Sequence, residues 1–166
     1  MGLRGAGDTA AWLGSTTIQM MRYGACPVLG VPRTTEVFYP QYIAFATDLE
    51  TSDDTSYIEF LKNLVQLWQA RVDIIHVHPN PNKVGIDQAQ EALNLDHFFK
   101  GIPHKYYFIE DKLPARGIEK HLMESAANLL VLVPRHHVAL ERLFHKSVSK
   151  QVAQLAPLPI LFIHEK

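Results

Sequence analysis

Gly2-Leu-Arg-Gly5, then eight residues, then Gly14-Ser15 is the segment whose residue types best suit a chemical task. Glycines let backbone N–H groups come close to phosphate oxygens, and the Ser15 hydroxyl near a helix start adds a further partner. Histidines form the second candidate group. His76 and His78 alternate along an expected strand and so share one face, while His136 and His137 follow another expected strand. With Asp48, the first pair makes either a borderline site for Zn²⁺ or Ni²⁺ or a polar rim on a sheet. Nucleophilic chemistry finds no support, because there is no Gly-x-Ser-x-Gly elbow, no Walker A sequence and no Cys–His local signature. Asp53-Asp54 and Glu110-Asp111 are adjacent carboxylates that capping and turns explain. The residues point to binding, not catalysis.

Composition narrows the class. At 166 residues with 47% hydrophobic and 20% charged, the chain suits one domain with a substantial core. A net charge of −1 gives no basic surplus for nucleic acid or for an anionic membrane. Cys26 is the only cysteine, so an intrachain disulfide is impossible. No apolar run approaches the roughly 18 residues that span a bilayer, and the first residues lack the pattern of a secretory leader. The expectation is a cytoplasmic protein without a membrane or nucleic-acid partner.

Strand and helix patterns alternate after residue 41. Tyr42–Thr47, Val72–Val77, Lys105–Ile109, Leu129–Val133 and 159–163 read as buried strands. Helices are expected after Thr51–Thr55, over about 84–99, from Pro114, and over about 138–155. In these, Ile58, Leu61, Val65 and Trp68 share one face, and Ala89, Ala92, Leu93 and Phe99 are placed toward the core. Ala44, Phe45, Ile74, Ile75, Phe108, Leu130 and Leu132 form the expected centre of the sheet. Such alternation predicts an α/β, Rossmann-like fold: a five-stranded parallel sheet with helices on both faces. Ligands then bind beyond the C-terminal ends of the strands, where strand order reverses.

One segment occurs twice. Gly14 to Val31 aligns without gaps to Lys146 to Ile163, at an offset of 132 residues. Ser15, Gln19, Pro27 and Leu29 recur as Ser147, Gln151, Pro159 and Leu161. Each copy reads as a helix, a break before proline and a short apolar strand. The expectation is residues 1–33 as the last helix and strand of a first domain, 34–40 as a linker and 41–166 as a complete domain. Met1 then reads as an internal residue of a longer tandem protein.

Gly2-x2-Gly5-x8-Gly14-Ser15, followed by Cys26-Pro-Val-Leu-Gly-Val31, resembles the phosphate-binding signature and final strand of ATP-binding universal stress proteins, the UspA family, with a spacer one residue short. The complete domain carries the same resemblance. It implies an adenine nucleotide alpha hydrolase-like fold, with Ala46-Thr47-Asp48 ending the first strand where an aspartate helps hold adenosine. Val77 lies where the family places an adenine-contacting aliphatic residue. The phosphate cradle departs from the pattern, since its three glycine positions, counted back from Ser147, fall on Val133, His136 and Lys146. Arg135 and Lys146 attract phosphate as charges but do not rebuild that cradle. The resemblance implies a stress-response module that binds and dimerises without catalysis, with ATP as its possible cofactor and weak ATP binding in the complete domain. The alternative is an adenine-nucleotide domain with weak or no hydrolysis.

The family's final strand commonly forms a dimer edge, so Val28–Val31 is expected to pair antiparallel with Pro159–Ile163, in the same chain or a neighbouring one. A helix over about 9–23 keeps an apolar face, Leu13 and Met20 among it, which favours a homodimer.

Overall fold

Two apolar runs, Tyr42–Ala46 and Leu129–Leu132, carry no charged side chain and can be satisfied only inside a sheet covered on both faces. The computed structural model describes residues 20, 26–32, 35, 39–50, 52, 54–79, 85–133 and 158–164, and places these runs side by side. In chain order the elements are β1 (Val28–Gly30), β2 (Tyr42–Ala46), α1 (Ser56–Trp68), β3 (Arg71–His78), α2 (Ile86–Phe98), β4 (His104–Glu110), α3 (Pro114–Glu124), β5 (Leu129–Leu132) and β6 (Ile160–Phe162). They form one sheet of order β1-β6-β5-β2-β3-β4. Strands β2 to β6 run parallel, and β1 joins antiparallel to β6 with Leu29 opposite Leu161.

The expected antiparallel pairing of the repeated strands therefore exists, and it closes within one chain. The expected helices over 9–23 and 138–155 lie outside the described residues, as do Leu13 and the expected linker's Thr34 and Glu36–Phe38. Met20 is described and is exposed, away from both cores.

Alternation along each strand splits the interior into two layers. Ile43, Phe45, Val72, Ile74, Leu129 and Val131 meet α1 and α2 through Ile58, Leu61, Val65, Leu95 and Phe99. Ala44, Ile75, Leu130, Leu132, Ile160 and Phe162 meet α3 through Ala115, Ile118 and Leu122. Polar anchors pin the elements: Tyr106 Oη donates to Ala92 O at 2.8 Å, and His121 of α3 reaches Asp73 Oδ2 of β3 at 3.0 Å. Gly117 is where α3 comes closest to the sheet. A Cβ there would stand 2.6 Å from Val77 Cγ1 and 3.3 Å from Ile109 Cγ2.

Three core expectations need correction. Phe108 is 46% exposed because β4 is an edge strand and its neighbours cover it on one side alone. Leu93 and Ala89 face outward, since α2 turns Glu91, Ala92, Leu95 and Phe98 inward instead.

Truncating Ile75 or Leu130, both fully buried, should cost about 2–5 kcal/mol in urea unfolding. Gly117→Ala sets two effects against each other: a helix-propensity gain of about 1 kcal/mol and overpacking of about 1–3 kcal/mol. Val is too stiff at χ1 to move aside, so the variant should be less stable, and Val77→Ala should rescue it. A more stable single variant would contradict this packing.

Candidate functional site

From β2 the chain runs to β3 and β4 on one side, then returns past β2 to β5 and β6 on the other. Strand order thus reverses between β2 and β5, and their C-terminal ends bound the crevice in which such folds take ligands. Ala46 ends β2 opposite both Ile75 and Leu132. Asp48 and Val77 each lie two residues beyond the Ala46–Ile75 pair, so the register brings both to this edge. Val133 follows Leu132 at the same edge. Of the expected site residues, Ala46, Thr47, Asp48 and Val77 are thereby brought together. Gly2, Gly5, Gly14, Ser15, Arg135, Lys146 and Ser147 lie outside the described residues, as do His136 and His137.

The exit of β2 is a tight, strained turn. Thr47 N donates to Ile75 O at 3.0 Å, which extends the ladder by one bond. Thr47 Oγ1 accepts from Leu49 N and Asp48 Oδ1 accepts from Glu50 N, both at 3.1 Å. Leu49 has φ 55 and is fully buried. Left-handed backbone costs a branched residue roughly 1–2 kcal/mol, which burial of the Leu49 side chain beside Phe45 and Ile58 offsets. The result is a backbone shape fixed before any ligand arrives.

His76 completes that turn. Its Nδ1–H donates to Thr47 O at 3.2 Å, while Nε2 is buried with no hydrogen-bond partner. The side chain is 4% exposed, so it is a core residue and not part of a polar rim. His78 stacks on it at 6.1 Å between centroids, and Phe108 meets it edge-on at 6.1 Å. Burial pulls the His76 pKa below the ordinary 6.5, against the raising effect of the Thr47 bond. Among the described residues, no three His, Cys, Asp or Glu side chains gather to hold a metal ion. The Asp48–His76–His78 grouping is thus not a metal site of that kind.

Two of the crevice residues are committed to packing. Val77 places its methyls under Gly117 of α3, and Val133 packs against the α1–α2 layer. A separate open groove of about 920 Å³ runs along β4 and the end of α3, lined by Arg71, Asp73, Tyr107, Lys120 and His121 among others. The sequence reading missed His76 as a support of the turn and Gly117 as a close contact. An isolated glycine within a helical pattern was the available signal for the second.

The model of the universal stress protein family matches residues 41–164. The chain belongs to the universal stress protein family. No curated protein matches the sequence significantly. Among solved structures, a universal stress protein from Archaeoglobus fulgidus DSM 4304 has a TM-score of 0.71 at 20% identity, covering 100% of this chain and 61% of that one. A universal stress protein in complex with cAMP has a TM-score of 0.55 at 15% identity, covering 78% of this chain and 100% of that one. The Archaeoglobus fulgidus universal stress protein in complex with dAMP has a TM-score of 0.50 at 18% identity, covering 78% and 100%. These likenesses establish a shared fold. No helix among the described residues of this universal stress protein domain is long and apolar enough to cross a membrane.

A lowered His76 pKa has a defined consequence for stability. Below 6.5 the unfolded chain takes up a proton that the folded chain refuses, so stability is full above that pH and is lost as pH falls toward the folded value. His76→Gln keeps a donor for Thr47 O but cannot titrate. Its urea midpoint should fall less than the wild-type midpoint between about pH 7 and about pH 5. Parallel pH profiles would contradict the assignment.

Proposed function

We propose that this universal stress protein domain is a non-catalytic binding module of a cytoplasmic stress response that takes adenine nucleotides by their adenosine half. Asp48 holds the sugar at the exit of β2, and the adenine lies along the backbone at Val77. The single observation that carries this reading is the preformed Thr47–Glu50 turn at the reversal of strand order. It presents a carboxylate on a backbone that needs no ligand to shape it. The complexes of family relatives with cAMP and with dAMP support a monophosphate as the ligand class.

A triphosphate is poorly served. The position where the signature needs its first glycine is Val133, whose β-branch disfavours positive φ and whose side chain is already packed. Without bare backbone N–H groups, the β- and γ-phosphates gain little beyond attraction to nearby charges. No side chain at the described edge is arranged as a nucleophile with a base, so bound nucleotide should leave unchanged.

Calorimetry with AMP, cAMP and Mg²⁺–ATP decides the matter. ATP should bind no more tightly than AMP, and Asp48→Ala should weaken AMP by about 5- to 30-fold, the loss of a charge-assisted hydrogen bond worth roughly 1–2 kcal/mol. ATP binding at low micromolar affinity, more than tenfold tighter than AMP, would overturn the reading. Lys146→Gly would then test whether charge had replaced the cradle.

A further inference from the structure

The sheet has two edges, and they are not alike. β1 has 3 residues and is flanked by Pro27 and Pro32, which carry no N–H, so that edge is blunted. β4 has 7 residues with no proline inside, and nothing among the described residues pairs with its outer side. The open groove follows this strand, touching His104, Lys105, Tyr107, Phe108, Ile109 and Glu110.

The ladder identifies which backbone groups are unused. Val72 N donates to Pro103 O at 3.0 Å, and Asp111 N donates to His78 O at 3.3 Å. In a parallel ladder a residue turns its N–H and C=O toward the same neighbour, and alternate residues turn them the other way. Lys105, Tyr107 and Ile109 therefore face β3, while His104, Tyr106, Phe108 and Glu110 present their N–H and C=O groups outward.

We propose that the outer edge of β4 pairs antiparallel with β4 of a second copy of this chain, about a two-fold axis through Tyr107. This register alone sets all four outward residues opposite outward residues. His104 then faces the partner's Glu110, and Tyr106 faces the partner's Phe108, each twice by symmetry. Both ring nitrogens of His104 already have partners within the chain, Ile102 O at 2.8 Å and Asp96 Oδ1 at 3.1 Å, which hold the ring in place at the start of the strand. Tyr106 and Phe108 already stack at 6.3 Å within one chain, so pairing extends that stack into a four-ring aromatic strip and covers the exposed Phe108. Lys105, a residue that usually discourages edge pairing, meets the partner's Ile109 and not a second lysine. Moving the axis to Tyr106 or to Phe108 would leave Glu110 or His104 without an outward residue of the partner strand opposite it. The occupant is a second copy because the seven-residue strand matches itself in this register: every outward backbone group meets another, and the aromatic pair of one copy meets that of the other. The continuous sheet also leaves the β2–β5 crevice open in each copy.

Light scattering of the full chain should give twice the 18.8 kDa chain mass. Phe108→Pro should give the single mass with an unchanged far-ultraviolet spectrum, because the N–H it removes faces away from β3. Should that variant fail to fold, Phe108→Lys tests the same edge by placing two new charges across the axis. Tyr107 pairs with itself as a non-hydrogen-bonded pair, whose Cα separation of about 4.5 Å suits a disulfide. Tyr107→Cys combined with Cys26→Ser should therefore oxidise to a covalent dimer. A wild-type chain of single mass at high concentration, or a dimer that survives both Phe108 variants, would overturn the proposal. So would a double variant that stays uncrosslinked.

Discussion

Burial of β2 on both faces and along both edges is the constraint on which the rest of the structure depends. Ile43, Ala44 and Phe45 are sealed between α1–α2 on one side and α3 on the other, with β3 and β5 taking up the backbone. Nothing on such a strand can meet a ligand. The first residues able to do so are those that leave it, and Thr47 to Glu50 form a turn whose shape depends on that burial. Leu49 tolerates its left-handed backbone because its side chain completes the same core that covers Phe45. His76 ties the turn to β3 at the cost of an unpaired Nε2. The site is thus made by the core and rigid through it.

The fold was legible in the sequence wherever burial was two-sided. Continuous apolar runs mark β2 and β5, and the repeat of Pro27–Val31 in Pro159–Ile163 anticipated the antiparallel seam of β1 on β6. One-sided burial was harder to read. Phe108 has the same residue type as Phe45, and only strand order reveals that one lies at an edge. Leu93 and Leu95 are equally apolar, but α2 rotates to bury the second and expose the first. In the site, Asp48 and Val77 were expected from the family resemblance, and the strand register brings both to the crevice edge. The Leu49 conformation was not legible, because it runs against the residue's own preference and is imposed by tertiary packing. His76 was read with His78 as a metal ligand or part of a polar rim, because strand alternation alone does not show that the ring is buried.

A phosphate cradle and a packed edge compete for the same residues. Glycine after β5 would free the backbone but give up the contact that Val133 makes with the α1–α2 layer. This domain takes the contact. The consequence is a crevice with a preformed turn on its β2 side and a packed valine on its β5 side.

Amide shifts of the ¹⁵N-labelled chain during titration with AMP test the central claim most directly. The account predicts that the largest changes fall on Thr47, Asp48, Glu50, Val77 and Val133, at the junction of β2 and β5. Changes confined to Arg71, Asp73, Tyr107 and His121 would place the ligand in the groove along β4 and contradict it.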